Sequence, residues 1–219
     1  MNSHDPLDAR DGDVALARFP WPPAEHESIV SAFGRTWSGA ALRPARFFRA
    51  LPGSGSVGAA LLYYIPLGIA VAGADLFWTM VRGPAALERE EVLGRIDLGG
   101  IDPVAGFLLS PVVLLLSLLV SAAVTHVLLR LFGGANRDYG VTTRVFAYAY
   151  SPQILGVVPV AGGVIGFLWM VVVAVIGLRA AHDTTLGRVL PAVLIPVTLA
   201  LIALAIASFM AAAGSVILH

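Results

Sequence analysis

Few side chains in this sequence can do chemistry, and those few stand in strongly apolar surroundings. Asp75 lies inside an apolar run. A lone ionised carboxylate in hydrocarbon must be paired, protonated or turned to water. Its candidate partners are His126, Arg144 and Tyr148. Asp75, His126, Arg144, Tyr148 and Gln153 therefore form the candidate polar site inside the membrane. His126 can hydrogen-bond across helices to Tyr148 or Gln153, which makes a structural clamp; a proton relay is the chemical alternative. For Asp75 the plain alternative is a shallow, solvated position near the end of its helix.

A second group, Arg137, Asp138, Arg179, His182 and Asp183, falls between apolar runs. Asp183, Thr184 and Thr185 can cap the helix that follows them. His182, His126 and Asp138 offer nitrogen and oxygen ligands, but their spacing matches no metal-ligand motif, and no metal is assigned. Zincin, phosphate-loop and dinucleotide-binding signatures are missing, as is a serine-hydrolase elbow. Nothing calls for a cofactor or for catalysis.

The elements that position these residues follow from composition. Of 219 residues, 58% are hydrophobic and 13% charged, with a mean hydropathy of +0.83. A soluble domain of this size carries about 25% charged residues; charge this sparse fits a protein whose solvent is partly lipid. The 14 basic residues balance 14 acidic ones, which argues against nucleic acid as a partner. All the basic residues are arginine, a lean toward a GC-rich bacterial genome. There is no cysteine, so disulfides and thiolate metal sites are excluded.

The expected fold is all-α, a polytopic transmembrane bundle of about five segments at 57–81, 103–131, 144–160, 162–178 and 189–218. Each is read from an apolar run long enough, or nearly so, to cross about 30 Å of hydrocarbon. The third is short and holds Tyr148, Tyr150, Ser151, Pro152 and Gln153 near its middle, which predicts a kinked or broken helix buried in protein. Gly162 and Gly166 form a small-xxx-small pair suited to close helix contact, within the chain or between copies.

Ahead of the bundle, residues 1–27 are acidic and proline-containing. They lack the apolar run of a signal peptide and read as a flexible, water-exposed arm. Residues 28–56 are amphipathic up to a Pro-Gly-Ser hinge. There Trp37, Phe47 and Phe48 are expected at the headgroups, with Arg43, Arg46 and Arg49 on lipid phosphates and Arg130 snorkelling to the same level; the alternative is one ordinary helix packed on the membrane domain. The loop at 85–102 is polar and can carry a short surface helix. With five spans and the arm inside, the arginines crowd onto the cytoplasmic side, as the positive-inside rule requires. The C-terminus then lies opposite.

The run from His126 onward resembles one family. His126 is followed by Gly133-Gly134, then by Thr143-Arg144-Val145-Phe146-Ala147-Tyr148-Ala149-Tyr150-Ser151-Pro152. Pro159, Gly162 and Trp169 come next, then Gly177-Leu178, His182 and Leu190-Pro191-Ala192-Val193 leading to Pro196. Upstream, Pro44 with Phe47-Phe48 precedes the first span. In this order the features are similar to the Yip-type domain family, named for interaction with Rab/Ypt GTPases, and to its bacterial branch of membrane proteins. The resemblance implies a five-helix domain with a cytoplasmic N-terminus and no established catalytic chemistry. Two functions follow as expectations. One is a scaffold or adaptor in a bacterial inner membrane, whose partners are membrane lipids, a cytoplasmic protein or a second copy. The other is a lipid-handling or small-solute translocation protein working around the broken third helix.

Overall fold

The computed structural model describes residues 19–82, 102–159 and 161–217, with no side chain described beyond Met210. Most of the expected acidic arm and nearly all of the 85–102 loop lie outside the described residues. The fold is all-α. Helices α1 (Ile29–Leu42) and α2 (Pro44–Arg49) lead into α3 (Val57–Arg82), α4 (Pro103–Leu131), α5 (Tyr139–Ala149), a 3₁₀ helix (Ser151–Val157), α6 (Ala161–Ala181) and α7 (Leu186–Ile217). Four of these, α3, α4, α6 and α7, are long and apolar enough to cross a membrane.

The third expected segment is a composite. It starts at Tyr139, where the Asp138 carboxylate accepts the Val141 N–H at 3.0 Å and caps α5. It stops being α-helical at Ser151, because Pro152 lacks an N–H and its ring crowds the preceding turn. The groups freed there are collected locally. Ser151 Oγ donates to the Tyr148 carbonyl at 2.6 Å and accepts from Tyr63 Oη at 2.6 Å. Trp37 Nε1 donates to the Ser151 carbonyl at 2.9 Å. The 3₁₀ helix then continues the crossing, wedged between α3 and α6.

The other boundaries have equally local causes. Asp102 accepts the N–H groups of Val104 and Ala105 at 2.9 and 3.1 Å and starts α4, with Pro103 in the first turn where no donor is needed. Gly133, at φ +68°, ends α4 in the left-handed region that favours glycine, and the Gly134 N–H closes onto the Leu129 carbonyl. Asp183 does the same after α6 at φ 47°. Helix α7 is buried only near its start, at Val189, Ala192 and Val193; from Leu199 to Ile206 every residue is exposed on the bundle surface. In hydrocarbon such a helix needs no protein cover.

Helices α1 and α2 do not lie flat outside the bundle. Trp169 Nε1, near the middle of α6, donates to the Ala41 carbonyl at 2.7 Å, while Phe48 lies against Gly177, near the end of α6. Helix α1 therefore descends to half the depth of α6 and α2 climbs back beside it. All four tryptophans tie the bundle together by donating to a carbonyl of another segment: Trp21 to Ala59, Trp37 to Ser151, Trp78 to Val157 and Trp169 to Ala41. The core they enclose is rich in aromatic rings, with Phe19, Phe33, Phe47, Tyr63 and Tyr148 in edge or tilted contact.

Candidate functional site

One end of the bundle carries Arg130, Arg137, Arg179 and Arg188 on its surface and Arg144 inside. At this arginine-rich end a chain of hydrogen bonds joins both expected histidines through a residue the sequence did not mark, Thr142. The Arg137 N–H donates to His182 Nδ1 at 3.2 Å, which makes that nitrogen the acceptor and leaves the proton of the neutral ring on Nε2. His182 Nε2 then donates to Thr142 Oγ1 at 2.9 Å. The threonine proton is left to donate to His126 Nδ1, also at 2.9 Å. His126 is thereby protonated on Nε2, which is buried and has no partner among the described residues; its ring meets Tyr139 edge to face. One direction of donation therefore runs from the loop before α5 to helix α4.

His182 stands in the turn after α6, where the sequence puts it, and is fully buried there. Its imidazole is pushed down to about 4, chiefly by burial, then by the neighbouring His126; Asp138 opposes the shift and Arg137 adds to it. Asn136 Nδ2 donates to the carbonyls of His182 and Asp183, and Arg188 donates to the Gly133 carbonyl at 2.8 Å. The turns before α5 and before α7 are thus tied into one polar plate. The Asp138 carboxylate is engaged as the α5 cap, and Thr142 stands between the facing nitrogens of the two rings.

Arg144 is 4% exposed, a cation with no carboxylate partner among the described residues. Its Nη2 donates to the Gly53 carbonyl at 3.0 Å and its Nε to Gly140 at 3.4 Å. The guanidinium groups of Arg144 and Arg137 occupy the space that side chains at Gly55 and Gly53 would need. The stretch expected as a free hinge is therefore a glycine strap pinned over two arginines.

The five residues of the expected intramembrane site are not brought together. Tyr148 is in the aromatic core, Arg144 under the strap and His126 in the histidine chain. Asp75 and Gln153 do share a place, a cleft of about 470 Å³ toward the opposite end of the bundle. Among the expected lipid-contact residues, Phe47 and Phe48 are a correction. They are 6% and 1% exposed, because α2 turns that face onto α6. Trp37 is half-buried as a clamp. Arg43, Arg46, Arg49 and Arg130 are exposed, as are Arg137, Arg179 and Asp183. Sequence reasoning missed Thr142, Asn136, Tyr63 and Ser110. Only the serine before Pro152 hinted at the Tyr63 contact.

Comparison with known proteins adds one match. The family model described as Yip1 domain covers residues 39–207, more than half of the chain. No curated protein and no solved structure matches.

Proposed function

The chain belongs to the Yip1 domain family, and from that premise we propose that it is a non-catalytic, multi-pass membrane scaffold whose arginine-rich end binds anionic lipid headgroups on the cytoplasmic side. The observation that carries this is helix α2. Pro44, Phe47 and Phe48 are buried on one side, while Arg43, Arg46 and Arg49, three residues apart, are exposed on the other. None of the three is paired with a carboxylate among the described residues. Exposed Leu42 lies at the α1–α2 turn, and exposed Ile29 and Val30 open α1. Arg43 stands at the inner turn and Arg46 and Arg49 nearer the end of the bundle, so apolar residues beside this row suit arginines that snorkel from the acyl chains to the phosphates. Each arginine near an anionic surface contributes about 1 kcal/mol. The arginine bias supports a cytoplasmic placement of this end, and the arginine-only composition a bacterial inner membrane. The acidic composition of residues 1–27 supports engagement of a soluble protein by this segment.

The thermal stability of the purified full chain tests the reading. Adding phosphatidylglycerol should raise Tm more than adding phosphatidylcholine, and the difference should shrink at high salt. The triple variant Arg43→Gln, Arg46→Gln, Arg49→Gln should unfold at the wild-type temperature without lipid but lose the difference. Equal response of wild type to the two lipids would reject the reading. The cleft lined by Asp75 and Gln153 favours a second reading, in which the protein also handles a lipid or small polar solute.

A further inference from the structure

The glycine strap over Arg137 and Arg144 leads straight into α3. Pro52-Gly53-Ser54-Gly55-Ser56 precedes Val57, and Ser56 Oγ accepts the Ala59 N–H at 3.2 Å. The N–H groups from Gly53 to Gly58 donate to no acceptor among the described residues. Successive free N–H groups and the positive end of a helix dipole favour an anion. Such an end is common to helices and selects nothing by itself. The arginines beneath the strap supply an independent reason. Arg144 is buried with no carboxylate partner among the described residues, and a buried cation without a counter-ion is costly. Its Nη2 and Nε are engaged by the carbonyls of Gly53 and Gly140, but its Nη1, which faces Gly55, has no acceptor among the described residues. Arg137 donates to His182 through its backbone N–H alone; its guanidinium makes no hydrogen bond among the described residues, and Nη1 faces Gly53.

The charge and the donors together select the ligand. Two residues of chain span at most about 7 Å, so the guanidinium groups at Gly53 and Gly55 serve one short stretch of strap. Like charges this close repel each other. The Asp138 carboxylate is engaged as the α5 cap and pairs with neither arginine. An anion with two charges and several acceptor oxygens answers both cations and the free N–H groups at once. A phosphomonoester carries about −1.5 to −2 at pH 7 and three acceptor oxygens, and guanidinium forks match phosphate oxygens. We propose that the strap binds the phosphomonoester group of a lipid or of a soluble molecule. Its oxygens lie between Arg144 Nη1, Arg137 Nη1 and the N–H groups that open α3. This site is separate from the arginine face of α2 and does not depend on lipid binding there.

Arg137→Gln provides the test, because that side chain is exposed and its guanidinium bonds nothing else in the fold. The host is the full chain carrying Arg43→Gln, Arg46→Gln and Arg49→Gln. With α2 neutralised, the outcome is independent of whether that face binds lipid. Calorimetry in detergent and phosphate-free buffer measures phosphatidic acid, a phosphomonoester lipid, against phosphatidylglycerol, a diester, and soluble glycerol 3-phosphate. Phosphatidic acid should bind at least tenfold more tightly than phosphatidylglycerol. Adding Arg137→Gln should weaken it tenfold or more without lowering Tm. Arg144→Lys, which keeps the charge and loses the fork, should weaken it severalfold. Binding of glycerol 3-phosphate as well supports the site and identifies its source as a soluble phosphomonoester; binding of phosphatidic acid alone identifies a lipid headgroup. Equal affinity for the two lipids, or undiminished phosphatidic acid binding after Arg137→Gln, overturns the proposal. If Arg144→Lys fails to fold, the Arg137 variant still decides.

Discussion

Replacing Gly162 with alanine is expected to lower the Tm of the detergent-solubilised protein by roughly 6–12 °C, while the same change at Gly163 leaves it unchanged or slightly raised. The two glycines are neighbours on α6 but face different things. A methyl at position 162 runs into the Leu155 carbonyl oxygen, with the Leu155 carbonyl carbon at 2.8 Å and Val158 Cβ at 3.1 Å. Most of that obstruction is backbone of the 3₁₀ helix, which has no rotamer with which to move aside. Overpacking costs about 1–3 kcal/mol, and a rigid neighbour puts Gly162→Ala at the top of that range. At 163 nothing lies within 4 Å, and alanine recovers helix propensity. Thermal unfolding of both variants checks the pair. A Gly162→Ala protein as stable as the Gly163→Ala one would mean that α6 and the 3₁₀ helix are not in contact as described.

Thr142→Val should be nearly as damaging, and its cause is chemical. Valine keeps the shape and removes the hydroxyl, so His182 Nε2 loses its acceptor and His126 Nδ1 its donor, both in buried surroundings. Each orphaned group costs about 1–3 kcal/mol, which puts the loss near ~3 kcal/mol; Thr142→Ser should recover most of it. Acid attacks the same chain. His182 takes a proton near its ordinary 6.5 in the unfolded protein but not until about 4 in the folded one. Between those values the unfolded state holds the extra proton. Its contribution is therefore complete above pH 6.5 and is lost as the pH falls toward 4, by on the order of 3 kcal/mol at most. Unfolding followed from pH 8 to pH 4 should show a shallower acid loss in His182→Gln than in wild type. Identical slopes would remove His182 from the account of acid sensitivity.

These two cases also mark what is legible in the sequence. The spacing of Gly162 and Gly166 announces a face for close contact, but not what covers it. The partner is the 3₁₀ helix, with Pro152 O and Gln153 against Gly166, so the pair serves the fold of one chain. The break itself was readable, because Pro152 removes a backbone donor wherever it falls. The start of α5 at Tyr139 was missed, since Gly140, Thr142 and Thr143 look like loop. All three are helix residues here, Thr142 and Thr143 buried, with Asp138 as the cap. Apolar runs reveal which segments seek hydrocarbon. They do not reveal which polar groups meet, and the five expected intramembrane residues scattered over four places for that reason. The depth of α1 and α2 was equally invisible. Phe47 and Phe48 suit either a lipid surface or a protein core, and the tryptophan bonds to distant carbonyls decide between them.

The most direct test of lipid binding by the arginine face is native mass spectrometry of the purified chain offered equal amounts of phosphatidylglycerol and phosphatidylcholine. The quantity to read is phosphatidylglycerol retained by wild type relative to the Arg43→Gln, Arg46→Gln, Arg49→Gln variant. At about 1 kcal/mol for each arginine, the variant should hold phosphatidylglycerol at least tenfold more weakly while its phosphatidylcholine stays the same. Undiminished phosphatidylglycerol on the triple variant would contradict the assignment of α2 as the face that binds anionic lipid.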